Sequence, residues 1–130
     1  MSNARVLLAD DHEQTLEWVR IVLNSHFDII ATVRNGRDAV AEVRRLDPDV
    51  LVIDISMPIL DGLRAVAQLN SHRRTKVVFL TLHQDQDFVT AAFAVGASAY
   101  VVKRDLNVEL VPAIREAIEG RRYVSQSILQ

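Results

Sequence analysis

The stretch DVLVIDISMPILDG, residues 49–62, opens as an apolar run short enough for one buried strand and delivers a carboxylate, Asp54, at its end. A near-continuous run of aliphatic and β-branched residues marks a strand covered on both faces, the condition of strands in a parallel sheet. Outward from it, the same pattern recurs in RVLLA (5–9), FDIIATV (27–33), KVVFLT (76–81) and AYVVK (99–103). Between these runs the apolar residues recur every three or four positions, as in Leu16, Val19 and Leu23, and again in Leu110, Ile114, Ala117 and Ile118. That spacing makes one apolar stripe along a helix. Asn35-Gly36 after the second run, Asp47-Pro48 before the third and Gly96 before the fifth supply the turns. The order reads as an α/β domain, (βα)5, with a doubly wound parallel sheet, right-handed crossovers and helices on both faces.

Composition narrows the function. A chain of 130 residues fits one domain with a real core, and 49% hydrophobic against 25% charged residues is ordinary globular composition. A net charge of -2 argues against nonspecific nucleic-acid binding as the main role of this segment. There is no cysteine, which excludes disulfides and thiolate metal sites and suits a cytoplasmic setting. No apolar run approaches the roughly 20 residues that cross a bilayer, so no membrane partner is expected.

In open parallel sheets ligands bind beyond the carboxyl ends of the strands. In this sequence those ends carry Asp10 and Asp11 after the first strand, Asp54 after the third, Thr81 at the fourth and Lys103 at the fifth. Three carboxylates brought together repel, and a hard divalent cation with oxygen ligands relieves them. Mg²⁺ keeps several waters and takes one or two carboxylates plus phosphate oxygens, so the set points to metal-assisted phosphoryl chemistry. The loop after the first strand, ADDHEQ, has no glycine and is acidic, unlike a nucleotide- or flavin-phosphate cradle. No Walker-type G-x-x-x-x-G-K-[ST] occurs, and the four histidines, His12, His26, His72 and His83, are scattered and form no triad.

Asp10-Asp11, Asp54 followed by SMPILDG, Thr81 in FLTLH and GASAYVVK ending at Lys103 together resemble the receiver domain of two-component response regulators. The resemblance spans about residues 5–119 in order and spacing. It implies a flavodoxin-like, CheY-like sheet of strand order 2-1-3-4-5. It also implies that Asp54 accepts a phosphoryl group from a sensor histidine kinase, with Lys103 and Thr81 contacting that group. Asp11 and Asp54 would ligate Mg²⁺ with the Ser56 main-chain carbonyl, and Asp10 would act through water. Thr81 and Tyr100 are the implied switch pair: the threonine moves toward the phosphoryl group and the aromatic turns inward behind it. Phosphorylation then shifts an existing equilibrium and changes an output surface. His83 and Ser56, two residues beyond Thr81 and Asp54, stand where this family tunes dephosphorylation, although a surface reading is the plainer one for His83 and His12.

Two features depart from the family pattern. Arg104 follows Lys103 where many receivers have a proline after a cis bond, so a trans bond is expected. Pro112 falls where the fifth helix should run, which predicts a late start capped by Asn107 or a kink, and places the dimer surface in question. HRRTK (72–76) reads as a solvated basic turn. Residues 1–119 are expected to be the receiver, and residues 120–130, similar to NarL/FixJ linkers, the start of a connection to a LuxR-type helix-turn-helix output domain outside this chain, with a stand-alone receiver as the alternative. DNA binding and transcription control would belong to that domain, and a homodimer on phosphorylation is a further expectation. A non-phosphorylated pseudo-receiver, acting as an interaction module, has no reason to keep three repelling acids. A phosphatase of the haloacid dehalogenase type needs a second acid where Ser56 stands, so an enzyme is not expected.

Overall fold

The computed structural model describes residues 3–69 and 74–129. Its order is β1 (Arg5–Ala9), α1 (Glu13–Leu23), β2 (Asp28–Val33), α2 (Gly36–Leu46), β3 (Val50–Ile53), α3 (Gly62–Gln68), β4 (Lys76–Thr81), α4 (Gln86–Ala94) and β5 (Ala99–Val102). A 3₁₀ turn (Lys103–Asp105), α5 (Leu106–Ile118), β6 (Tyr123–Val124) and α6 (Gln126–Leu129) follow. All strand pairs are parallel, in the order β2-β1-β3-β4-β5-β6. The expected order 2-1-3-4-5 stands, with one short strand added at the β5 edge.

Alternation along the strands divides the core. Val6, Leu8, Val50, Val52, Val78, Leu80, Ala99 and Val101 pack toward α1 and α5, against Leu16, Val19, Leu23, Leu110 and Ile114. Leu7, Leu51, Ile53, Phe79 and Tyr100 pack to the other side, with Val40 and Val43 of α2, Val66 of α3 and Val89 of α4. Fully burying a Leu or Val stabilises by about 1.5–3 kcal/mol. A one-residue slip of β3 would exchange its two faces, so this double burial fixes the register that sets where Asp54 emerges. Ile118, counted above with the α5 stripe, is 39% exposed and ends it.

The expected late start of the fifth helix is not found. Helix α5 begins at Leu106 and is continuous through Pro112. The carbonyl that loses its donor belongs to Val108, four residues back, and Val108 is 74% exposed, so this face meets water. Asn107 does not cap: its Oδ1 accepts a hydrogen bond from Trp18 Nε1 at 2.6 Å. No described peptide bond is cis, the one after Lys103 included. Of the basic turn, His72 and Arg73 lie outside the described residues. Arg74 is held, donating to Asp49 Oδ1 at 2.7 Å and to the Asp47 carbonyl at 2.8 Å. None of the described helices is long and apolar enough to cross a membrane.

The segment after Gly120 packs onto the domain. Tyr123 N donates to the Ser98 carbonyl and Ser125 N to the Tyr100 carbonyl, which builds β6. Ser125 is fully buried: its Oγ accepts from Val102 N at 2.9 Å and donates to the buried Glu109 carboxylate. The second oxygen of Glu109 accepts from Gln126 N at 3.0 Å, at the start of α6. Burial first, then the Glu109 charge and hydrogen bond, push the Tyr123 hydroxyl up to about 12.

Candidate functional site

Neighbouring strand ends bring the acids together. Ala9 of β1 lies opposite Ile53 of β3, so Asp10 and Asp54 leave the sheet side by side. Main-chain bonds fix both: Asp10 N donates to the Val33 carbonyl at 3.1 Å and Asp54 N to the Ala9 carbonyl at 3.0 Å. Beneath Asp54 the chain returns at Gly62, whose N–H donates to the Ile55 carbonyl at 2.7 Å. A Cβ at Gly62 would stand 2.0 Å from the Asp54 carbonyl oxygen, so only glycine permits this approach. Asp61 caps α3, accepting from Arg64 N at 2.9 Å, and anchors the far end of the same loop.

Lys103 leaves β5 and reaches back across β4. Its Nζ lies 2.8 Å from Asp10 Oδ2 and 3.0 Å from Asp54 Oδ2, and all three side chains are more than nine-tenths buried. Burial alone would pull the lysine down, but the hydrogen bonds and charges of Asp10 and Asp54 outweigh it and its pKa rises. The remaining oxygens of these two acids are held by main-chain donors: Asp54 Oδ1 by Ile55 N at 2.7 Å and Asp10 Oδ1 by His12 N at 2.9 Å.

Asp11 is different. Its Oδ1 is buried and accepts no hydrogen bond among the described residues, although His12 Nδ1 stands 3.3 Å away. A buried carboxylate oxygen without a donor is costly unless a cation meets it. Asp10, Asp11, His12 and Asp54 each present one ligand atom, and these atoms lie within 4.8 Å of one another. One ammonium against three carboxylates leaves the cluster short of positive charge. The residues therefore fit a divalent cation.

Thr81 is fully buried at the end of β4, its Oγ1 accepting from His83 N at 3.3 Å. Tyr100 is also fully buried, and its hydroxyl donates to the His83 carbonyl at 2.9 Å, so the ring already points inward. Burial, followed by the charges of Asp54 and Asp85, pushes its hydroxyl well above the usual tyrosine range. His83 is more engaged than a surface residue: its Nε2 is 2.8 Å from Ser56 Oγ and its ring stacks on Phe88 at 4.0 Å. A groove lined by Asp11, His12, Ser56, Met57 and Phe88 opens beside the acids.

Comparison with known proteins gives the family and the fold. Residues 6–115 match the family described as the response regulator receiver domain. The chain belongs to that family. The response regulator GacA of Pseudomonas viridiflava is 33% identical over 129 residues, covering 97% of this chain and 60% of that protein. The transcriptional regulatory protein DegU of Brevibacillus brevis is 30% identical over 127 residues, covering 95% of this chain and 54% of that protein. Among solved structures, a LuxR-family two-component response regulator from Aurantimonas sp. SI85-9A1 superposes with a TM-score of 0.93 at 32% identity, covering 99% of this chain and 94% of that one. These relatives are of the NarL/FixJ type. The receiver spans a little over half the length of the curated relatives it matches.

The receiver's Asp10, Asp11, Asp54 and Lys103 are gathered as their positions at the strand ends implied. Three contributors escaped the sequence reading. Gly62 carries no signal in the sequence beyond its place in the loop after Asp54, because its closeness to the Asp54 carbonyl depends on the path of the whole loop. The hydrogen bond between His83 and Ser56 joins residues 27 apart, for which no local signal exists. The latch of Glu109 on Ser125 lay hidden in a segment expected to be linker.

Proposed function

We propose that this receiver is a phosphoacceptor switch in which Asp54 takes a phosphoryl group from the phosphohistidine of a sensor kinase. The observation that carries it is the hold of Lys103 on both Asp10 and Asp54 beside an Asp11 oxygen that has no donor. Phosphoryl transfer asks for an in-line nucleophile and for neutralisation of the equatorial oxygens, with little covalent work from the protein. An Asp54 oxygen forms the new bond to phosphorus while the donor P–N bond breaks and its electron pair leaves with the imidazole. The ammonium of Lys103, already oriented by two carboxylates, follows the incoming negative charge. Thr81 supplies a hydroxyl at the next strand end. Asp11 and Asp54, with Asp10 and the Ser56 carbonyl as the resemblance implies, would hold Mg²⁺, which supplies charge neutralisation for the arriving phosphoryl group.

Tyr100 and Thr81 meet through His83, whose N–H bonds one and whose carbonyl bonds the other. Movement of Thr81 toward a phosphoryl group therefore strains the tyrosine contact, and the β5 edge is where the change would be read. In the full-length protein the readout is a C-terminal output domain that controls transcription, with homodimer formation on phosphorylation. The test is incubation with Mg²⁺ and acetyl phosphate, followed by intact mass of the wild type and Asp54→Ala. The wild type gains one phosphoryl group and the variant none. Equal gain by both, or no gain by either, defeats the proposal.

A further inference from the structure

Residues 121–128 cross the β5 edge of the sheet and grip both of its faces. Tyr123 packs on the side of α1 and α5, and Ile128 packs on the opposite side, with Phe93 of α4. The Arg122 guanidinium lies over the Phe93 ring at 4.6 Å. Between them the fully buried Ser125 ties two elements together. Its N–H donates to the Tyr100 carbonyl of β5 at 2.9 Å, its Oγ accepts from Val102 N at 2.9 Å, and its hydroxyl donates to Glu109 of α5. Gln126 N donates to the other Glu109 oxygen at 3.0 Å, and Ser127 Oγ donates to Asp105 Oδ2 at 3.1 Å, in the turn that Lys103 opens. Covering a sheet edge needs only main-chain pairing. These bonds fall on Tyr100 itself, on the residue before Lys103 and on the turn after it.

We propose that residues 121–128 are a strap that fits one arrangement of β5 against α5, and that a phosphoryl group on Asp54 loosens it. The inference rests on the phosphoacceptor reading and adds to it a control from the sheet edge. Lys103 bridges Asp10 and Asp54, and the Tyr100 hydroxyl is tied through His83 to Thr81. As Lys103 follows the phosphoryl group and Thr81 moves toward it, the β5 residues that hold Ser125 are pulled from both ends. Ser125 cannot follow, because its hydroxyl and the next N–H are fixed to Glu109, a buried carboxylate that depends on those donors. The intact strap therefore opposes the shift of β5. Coupling is reciprocal, so a weakened strap favours the state that holds the phosphoryl group. In the competing role, the segment only closes the sheet edge, and neither event affects the other.

The experiment uses beryllofluoride with Mg²⁺, a phosphoryl mimic that binds reversibly, so that its affinity is an equilibrium quantity. Amide hydrogen exchange of residues 121–128 is followed in the wild type with and without it. Its affinity is titrated for the wild type, Ser125→Ala and Gln126→Pro. Proline at the first residue of α6 removes the N–H that bonds Glu109 and leaves every core side chain in place, which separates loss of the strap from loss of the fold. The expected result is exchange of the segment faster by about fivefold or more in the bound wild type, and binding tighter by about fivefold or more in both variants, the lower end of ordinary coupling. Unchanged exchange on binding, or affinity in the variants equal to or weaker than that of the wild type, overturns the strap and leaves the phosphoacceptor reading standing. If the wild type binds no beryllofluoride and gains no phosphoryl mass from acetyl phosphate, the phosphoacceptor reading itself is refuted, and the strap falls with it.

Discussion

Two charged clusters sit at opposite ends of the same parallel sheet, and they are solved differently. At the amino end, Arg5 N donates to Asp49 Oδ2 at 2.8 Å while its guanidinium donates to the Leu46 and Asp47 carbonyls at 2.9 and 3.0 Å. Arg74 completes that set on Asp49 Oδ1, and the Arg74 side chain is half exposed. Planar guanidinium forks meet fixed oxygens there, and cations match acids. At the carboxyl end one buried ammonium faces three carboxylates, and an Asp11 oxygen has no donor. The amino end is a finished structural clamp. The carboxyl end keeps a charge deficit, which under the proposed function a cation and then a phosphoryl group would use.

The sharpest way to break this contrast is to remove one cation from each end. Lys103→Met leaves Asp10 and Asp54 buried without their ammonium, and loss of one partner of a buried pair costs about 3–5 kcal/mol. Arg74→Met removes an exposed pair worth about 0–1 kcal/mol. Chemical denaturation of both variants without divalent ions should show that gap, and equal losses would mean that the two ends do not differ in kind. Alkali gives the same information. The folded pKa of Lys103 lies above its ordinary 10.5, so its contribution is complete below 10.5 and fades as pH rises through the folded value. Tyr100 and Tyr123, also raised, act in the same direction above pH 10. The wild type should therefore lose stability above pH 10, and Lys103→Met should lose less of it over that range.

Mg²⁺ separates the ends by linkage. An ion at a hundredfold excess over its Kd stabilises the folded state by about 2.7 kcal/mol. That gain should appear as a rise in melting temperature for the wild type and for Asp49→Asn, and should largely vanish in Asp11→Asn. Asp49→Asn should lower the starting melting temperature instead, since it weakens the bonds to Arg5 and Arg74. A Mg²⁺ response that survives in Asp11→Asn would move the ion away from the oxygen that lacks a donor.

The sequence made the carboxyl end legible because its side chains follow directly from strands. Once RVLLA, VLVI and AYVV are buried strands, Asp10, Asp54 and Lys103 have no other place to emerge. Helix α5 was harder to read, since a proline rule for isolated helices misses that Val108 faces water, where its freed carbonyl costs little. The β6 addition was illegible for another reason. Tyr123 and Val124 make a strand of two residues, too short for any periodicity, and they hold through Ser125 and Glu109, sixteen residues apart. His83 on Ser56 and the Gly62 approach are likewise products of tertiary placement.

Among the described residues, each end also carries one non-glycine residue at positive φ, and the pair differs in the same sense as the charges. Asp47, at φ 49°, ends α2 in the left-handed region, where a short polar side chain is tolerated. Ile59, at φ 71°, lies in the loop between Asp54 and α3, where a β-branched side chain is a true outlier. Its side chain is 66% exposed, so little burial offsets the left-handed cost of about 1–2 kcal/mol. Glycine removes that cost but adds unfolded-state entropy of about 0.5–1 kcal/mol. Ile59→Gly should then stabilise by about 0.5–1 kcal/mol, a rise of a few degrees in melting temperature, while Asp47→Gly should gain nothing. Strain concentrates where a loop must hold a reactive group. If Ile59→Gly raises the melting temperature and also slows phosphorylation by acetyl phosphate, the strained loop helps to present Asp54. If it stabilises with the rate unchanged, the strain is local to the loop tip and the site is held by Gly62 and the strand ends alone.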